Sequence, residues 1–313
     1  MKAKVVICGD TSRIDSFLTT MIMKDPSVAG IVLPVESETE NSDTALSALV
    51  TAAHLCQQFS LTVGKNEDLA SADVVVIALE RPQIAAEDML TYVQGIMPKF
   101  RKLVNSVIEN GFKGKILISA PFDELLVYFA WRFSGLPQTQ LLGVGTFSQT
   151  LFLQSQLKDR LRVGENDVSA LVVGTPQQQL IVWSRSYVGP APVLMYLANQ
   201  DNHFSAEDIA NLEAASSSQS LMDNWAIQDL ALDRLLMALV EDRPLIATVS
   251  NIQTEHEVGA LAISTPVLVS LAGVRRLTDL TLSDSEETDF ETIISQLRQT
   301  ITEIENGKLG GTE

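Results

Sequence analysis

The sequence predicts an α/β chain in which a doubly wound parallel sheet, residues 1–143, precedes an α+β second domain, residues 144–313. Three observations carry this prediction. In the first half, short β-branched runs without polar alternation recur, the pattern of parallel strands buried on both faces. Between them lie longer stretches whose apolar residues return at helical spacing. Beyond Gly143 the pattern changes to short paired strands and long helices.

The first strand spans 4–8 and ends on Cys8-Gly9-Asp10. Further strands are predicted at 30–33, 73–79, 115–119 and 140–144. Ile14, Phe17, Leu18, Met21 and Ile22 share one helical face, as do Leu46, Leu49, Val50 and Ala53 in the next connection. The helical stretch 87–110 contains Gly95 and Pro98. Proline removes a backbone donor and crowds the carbonyl four residues earlier, so two helical pieces are expected. In the second half, 170–173 and 180–183 read as hairpin-like strands and 223–240 as a long helix. Strands follow at 245–250, 260–264 and 267–271. The last helix opens with a capping box, Ser283-Asp284-Ser285-Glu286, and places Phe290, Ile293, Ile294, Leu297, Ile301 and Ile304 on one stripe. The acids there lack the alternating ligands and central glycine of a calcium loop. Residues 310–313 read as a frayed tail.

Composition narrows the function classes. Of 313 residues, 46% are hydrophobic and 19% charged, which excludes disorder as the main state. Thirty-nine acidic residues against 22 Lys+Arg give a net charge of -17, which repels nucleic-acid phosphates in the absence of a basic cluster. Two cysteines, Cys8 and Cys56, are too few for a disulfide framework or a cysteine metal site. The N-terminal apolar run is cut at Gly9-Asp10 before a signal peptide would be complete. The most apolar stretch, 74–79, falls far short of the roughly 18 residues that cross a bilayer. A cytoplasmic location without membrane contact is the expectation.

Several runs in order carry a resemblance. Ala72-Asp73-Val74-Val75-Val76-Ile77, Phe129-Ala130-Trp131-Arg132-Phe133-Ser134-Gly135-Leu136-Pro137, Gly143-Val144-Gly145-Thr146, Val172-Val173-Gly174 with Val182-Trp183-Ser184, and Trp225-Ala226-Ile227 together resemble the lactate/malate dehydrogenase family over nearly the whole chain. The resemblance implies a Rossmann-type domain followed by a substrate domain, NAD as cofactor, and assembly into dimers or tetramers.

Hydride transfer to a 2-oxo acid needs an imidazole, a carboxylate that orients it, an arginine for the substrate carboxylate and a second cation at the carbonyl. Carried over residue by residue, those positions hold neutral groups. The histidine falls on Pro176 in Gly174-Thr175-Pro176-Gln177-Gln178-Gln179. Its carboxylate partner falls on Gln149 and the substrate arginine on Phe152, while an ungapped match puts Met89 at the mobile-loop arginine. The Asn-Pro pair becomes Pro121-Phe122, or Ala120-Pro121 with a one-residue shift. Met89, Ile96, Pro121, Phe152 and Pro176 are expected to line an apolar pocket hostile to a carboxylate.

In the phosphate-binding turn, Gly9-Asp10-Thr11-Ser12-Arg13-Ile14, only Gly9 keeps the required glycine. Asp10 brings a negative charge to the phosphate position and Ile14 crowds the close-packing position. The ribose carboxylate falls on Val35, with Glu36 beside it as a substitute. No cofactor is therefore expected, and weak NAD binding through Gly9 and Glu36 is the alternative.

Other candidates yield bland readings. His54 in a helix, His203 in a linker and His256 in a loop lack metal-ligand spacing, and no Gly-x-Ser-x-Gly elbow occurs. Cys8 reads as a buried small residue, Gln177, Gln178 and Gln179 as a solvated loop, and Arg13, flanked by Asp10 and Asp15, as part of a surface ion pair. Leu18, Met21, Ile22, Leu236 and Met237 are candidate faces for subunit contact. The expectation is a non-catalytic relative acting as an interaction or regulatory subunit or a small-ligand binder, with itself or another protein as partner. The competing reading is an NAD-dependent 2-hydroxy acid oxidoreductase with a rebuilt site, for which Glu80, Arg81, Asp88, Gln149 and Thr175 are the nearest polar residues.

Overall fold

A computed structural model describes residues 2–33, 40–80, 89–198, 204–254 and 259–306. The chain runs β1 (Ala3–Gly9), α1 (Thr11–Lys24), β2 (Val28–Val32), α2 (Glu40–Ala53), β3 (Ser60–Val63), β4 (Val74–Ala78), α3 (Met89–Glu109), β5 (Lys115–Ser119), α4 (Asp123–Ser134), β6 (Leu141–Gly143) and α5 (Phe147–Leu161). It continues through β7 (Val168–Ser169), β8 (Val172–Gly174), β9 (Gln179–Ile181), β10 (Tyr187–Val188), β11 (Ala191–Pro192), α6 (Ala206–Ser216), α7 (Gln219–Met222), α8 (Trp225–Val240), β12 (Leu245–Gln253), β13 (Leu261–Ser270), β14 (Gly273–Arg275) and α9 (Asp284–Glu305).

The predicted α/β class is the observed one. Strands β3-β2-β1-β4-β5-β6 are parallel neighbours, and the same sheet continues antiparallel through β12, β13, β8 and β9, with β14 on β13. The two halves meet at one residue pair, Ser250 on β12 with Gly143 on β6. Strand side chains alternate between two cores. Val6, Cys8, Val75, Ile77, Ile116 and Ile118 pack with residues of α3, α4 and α9, whereas Val5, Ile7, Val74, Val76 and Leu117 pack with residues of α1 and α8. Both faces are covered, which is why these strands read as unbroken apolar runs.

The structure corrects several expectations. Strand β3 was not predicted, because only Leu61 of its four residues is buried and no apolar run marks it. The stretch expected to break at Gly95 and Pro98 is one helix, α3. Its buried stripe Val93, Phe100, Val104 and Val107 holds it to the core, while Gly95 and Pro98 both face solvent, so water can reach a carbonyl left without a donor. Pro98→Ala should therefore stabilise the chain by about 1–2 kcal/mol, read from the urea midpoint, because proline costs about 3 kcal/mol in a helix interior and recovers part of that by stiffening the unfolded chain. An unchanged midpoint would contradict this.

The two strands expected at 260–264 and 267–271 are one, β13. Its Pro266 lies between the pairing with β8, at Ser264, and the pairing with β14, which begins at Leu268, an edge position of the kind proline tolerates. The first predicted hairpin strand, 170–173, forms only from Val172 onward as β8, and β7 just before it belongs to a separate three-stranded sheet with β10 and β11. Leu18, Met21 and Leu236, proposed as contact faces, are fully buried in the core, and Ile22 and Met237 pack half-buried against it. The predicted capping box does form, with the Ser283 hydroxyl accepting from the Glu286 N–H. Among the described residues, no helix is long and apolar enough to cross a membrane.

Candidate functional site

In an open α/β sheet, ligands lie outside the carboxyl ends of the strands. Here those ends bring together the β1–α1 turn, the segments after β5 and β6, the β8–β9 turn and the start of α8. Chain reversals place each part. Gly9 has φ 136, and a Cβ there would fall 1.8 Å from the Ala78 carbonyl oxygen, so only glycine allows β1 to run so close to β4. Phe122 has φ 56, a left-handed turn that swings the chain from β5 into α4 and directs Asp123 and Glu124 inward.

One groove is lined by Ser119, Ala120, Pro121, Phe122, Asp123, Val144, Gly145, Pro176, Gln177, Met222, Trp225 and Gln228, and encloses about 40 Å³. Such a space holds a water molecule or so and lies far below the about 300–1,000 Å³ of drug-sized ligand pockets. Pro121 and Pro176 meet here as expected. Gln149, fully buried on α5, places its Nε2 3.5 Å from the Pro176 carbonyl oxygen and accepts from the Ser148 hydroxyl at 3.0 Å. The positions carried over as general base and carboxylate partner are thus adjacent, and they hold a carbonyl and an amide. Thr175 closes the β8–β9 turn, its hydroxyl accepting from the Gln178 N–H.

The pocket expected to gather five apolar residues differs in the structure. Phe152 lines a separate groove between α5 and α8 with Leu151, Ile227 and Leu230, and Ile96 packs half-buried against the core. Met89 opens α3, its side chain outside the described residues, as are Val35, Glu36, Arg81, Asp88, His203 and His256. Glu80 is exposed, and His54 is an exposed residue in the turn that ends α2. Gln178 is exposed as expected of a solvated loop, whereas Gln177 and Gln179 are half-buried and their Oε1 atoms have no hydrogen-bond partner among the described residues.

The charged groups at this end of the sheet are the ones sequence reading missed or misplaced. Arg13, expected at the surface, is fully buried. Its Nη2 meets Asp229 Oδ1 at 2.8 Å and the Ser119 hydroxyl at 3.2 Å, and the guanidinium lies 3.8 Å from the Trp225 ring centroid. Asp229 also accepts from the Ser16 hydroxyl. Asp123 is 2% exposed. Its carboxylate accepts from the Gly145 N–H and the Ser250 hydroxyl, each at 2.7 Å. Glu124 beside it is fully buried, and among the described residues neither of its oxygens has a side-chain or neighbouring hydrogen-bond partner. Burial raises the Asp123 carboxyl to about 6 against these hydrogen bonds, and burial with the neighbouring Asp123 charge pushes Glu124 up to about 8. The Gly145 N–H and the Ser250 hydroxyl both point at Asp123, so a single negative charge on the pair rests there and the proton on Glu124.

Burial likewise pushes the Cys8 thiol to about 12, which agrees with its reading as an inert core residue. Among the described residues, no cluster of three or more His, Cys, Asp or Glu could hold a metal, and the groove is lined by no imidazole, lysine or arginine.

The dinucleotide implied by the resemblance does not fit the described residues. The β1–α1 turn contains the Asp10 carboxylate, held by the Glu80 N–H at 2.8 Å and by Lys99 Nζ at 2.5 Å. Arg13, in the first turn of α1, is committed to Asp229.

Comparisons with known proteins complete the picture. The chain is 24% identical over 309 residues to L-lactate dehydrogenase from Lactococcus lactis subsp. cremoris, covering 96% of this chain and 98% of that one. It is 26% identical over 249 residues to L-lactate dehydrogenase 1 of Bacillus cereus, covering 77% and 79%. In fold it is similar to the minor L-lactate dehydrogenase of Enterococcus mundtii, with a TM-score of 0.85 at 21% identity over 96% and 98% of the two chains. It is also similar to lactate dehydrogenase from Eimeria maxima solved with NADH and oxamate, with a TM-score of 0.85 at 14% identity over 100% and 98%. No model of a protein family matches the chain.

Proposed function

We propose, from the premise that this chain is a distant full-length relative in the lactate dehydrogenase family, that it has kept the family scaffold and relinquished hydride transfer. It serves as an interaction or regulatory subunit, or binds a small ligand unlike a 2-oxo acid. The observation that carries this reading is the contact between Gln149 and Pro176, 3.5 Å from amide nitrogen to carbonyl oxygen. An imidazole and a carboxylate would stand at those positions in a working proton relay, and neither group present takes up a proton near neutral pH. General base catalysis supplies about 10² to 10⁴ in rate, so its loss leaves little turnover. A dimer or tetramer of this chain, or a partner protein, in the cytoplasm belongs to the same proposal.

The comparisons favour a second reading. The relatives named above are L-lactate dehydrogenases, which supports an NAD-dependent 2-hydroxy acid oxidoreductase whose site has been rebuilt. One experiment separates the two: titrate the full chain with NADH by fluorescence and assay reduction of pyruvate and oxaloacetate. The expected result is turnover no faster than the buffer blank. Micromolar NADH binding together with turnover would overturn the non-catalytic reading.

A further inference from the structure

We infer that Asp10 is a built-in anion seated at the phosphate position of the strand-end crevice, so that the chain itself excludes nucleotide diphosphates from that position. The inference rests on the proposal that hydride transfer has been relinquished, and it names the residue that enforces the exclusion.

Asp10 does not do what its position favours. Asp10 is the N-cap of the 14-residue helix α1, yet its side chain makes no capping bond, although an N-cap carboxylate normally accepts from the second or third helical N–H. Its backbone N–H donates to the Ala78 carbonyl at 2.8 Å. Its Oδ2 accepts from the Glu80 N–H at 2.8 Å and its Oδ1 meets the Lys99 ammonium of α3 at 2.5 Å.

The carboxylate therefore bridges the segments that follow β1 and β4. Those strands are adjacent, with β2 and β3 on one side and β5 and β6 on the other, so the bridge lies at the topological switch point where open α/β sheets take their ligands. A backbone N–H, an ammonium and a helix N-terminus close by are the donors that recognise a phosphate. Asp10 takes the first two and sets its own charge against any incoming anion. Gly9, with no Cβ, still lets the backbone approach closely.

Removing Asp10 should convert this position into a working anion seat. The full-length protein and its Asp10→Gly, Asp10→Asn and Asp10→Gly/Lys99→Met variants would be titrated calorimetrically with ADP-ribose and, separately, with inorganic pyrophosphate. The wild type is expected to take up neither at millimolar concentration. Asp10→Gly should bind at least about tenfold more tightly than wild type, a difference of about 1.4 kcal/mol. Asp10→Asn should move in the same direction, and Lys99→Met should cancel the gain. A gain with ADP-ribose alone would assign the site to the nucleotide, and a gain with both would assign it to the diphosphate; either supports the inference. Wild-type binding as tight as that of the variants overturns it, as does the absence of gain in both single variants. Asp10→Asn preserves size and carries the test if the glycine variant does not fold. A wild type that reduces pyruvate would sink the functional reading, whereas an inactive wild type whose Asp10 variants gain nothing would sink this inference alone.

Discussion

Glu124→Met is expected to raise the unfolding free energy by about 3–5 kcal/mol near pH 8.5 and by much less near pH 5, because burial displaces the glutamic acid from about 4.5 toward 8 and each pH unit of displacement is worth about 1.4 kcal/mol. The folded chain holds a proton that the unfolded chain releases throughout that window. Stability from this group is complete below about pH 4.5 and is lost as pH rises through about 8. Methionine has a similar shape and no ionisable group, so it removes both the slope and two unpartnered oxygens. Glu124→Gln should remove the slope while keeping a buried polar group without partners, and so should gain less. Urea unfolding of the three proteins across pH 5–9 measures this; equal slopes in all three would refute the assignment.

The second large effect concerns Arg13. Arg13→Met should cost about 3–5 kcal/mol, because among the described residues it leaves the buried Asp229 with the Ser16 hydroxyl alone for support. Adding Asp229→Leu should recover most of the loss, since apolar residues of similar volume commonly replace a buried ion pair without penalty. Arg13→Lys should fall between, as an ammonium keeps the charge but loses the flat stack on Trp225. Denaturant unfolding of the single and double variants forms the test. A double variant no more stable than Arg13→Met would show that the pair is not the source of the loss.

Both residues show where sequence reading ends. Strands β1, β4 and β5 were legible because each is a short apolar run buried on two faces, and α9 because its cap and stripe are local. Arg13 was misplaced because its nearest charges in sequence, Asp10 and Asp15, outrank in a local reading a partner 216 positions away. Asp123 and Glu124 look like ordinary acids of a helix first turn, and only the left-handed Phe122 and the packing of α4 against β12 and β13 bury them. Pro98 misled because the breaking rule concerns the backbone alone, whereas the helix is held by four buried side chains on its other face. At the strand-end crevice, motif order pointed to Gln149 and Pro176, which lie side by side. It could not tell that Phe152, three residues on along α5, lines a separate groove.

The junction between β6 and β12 has a consequence for how the molecule can be divided. The change of pattern near Gly143 looks from the sequence like the border between two domains, and the polypeptide on either side supplies neighbouring rows of one hydrogen-bonded ladder. Asp123 fastens that seam by gripping Gly145 and Ser250 together. A cut there would strip β6 of its neighbour and leave a raw margin on each fragment, so the border marks a shift in architecture and not a place where the protein comes apart.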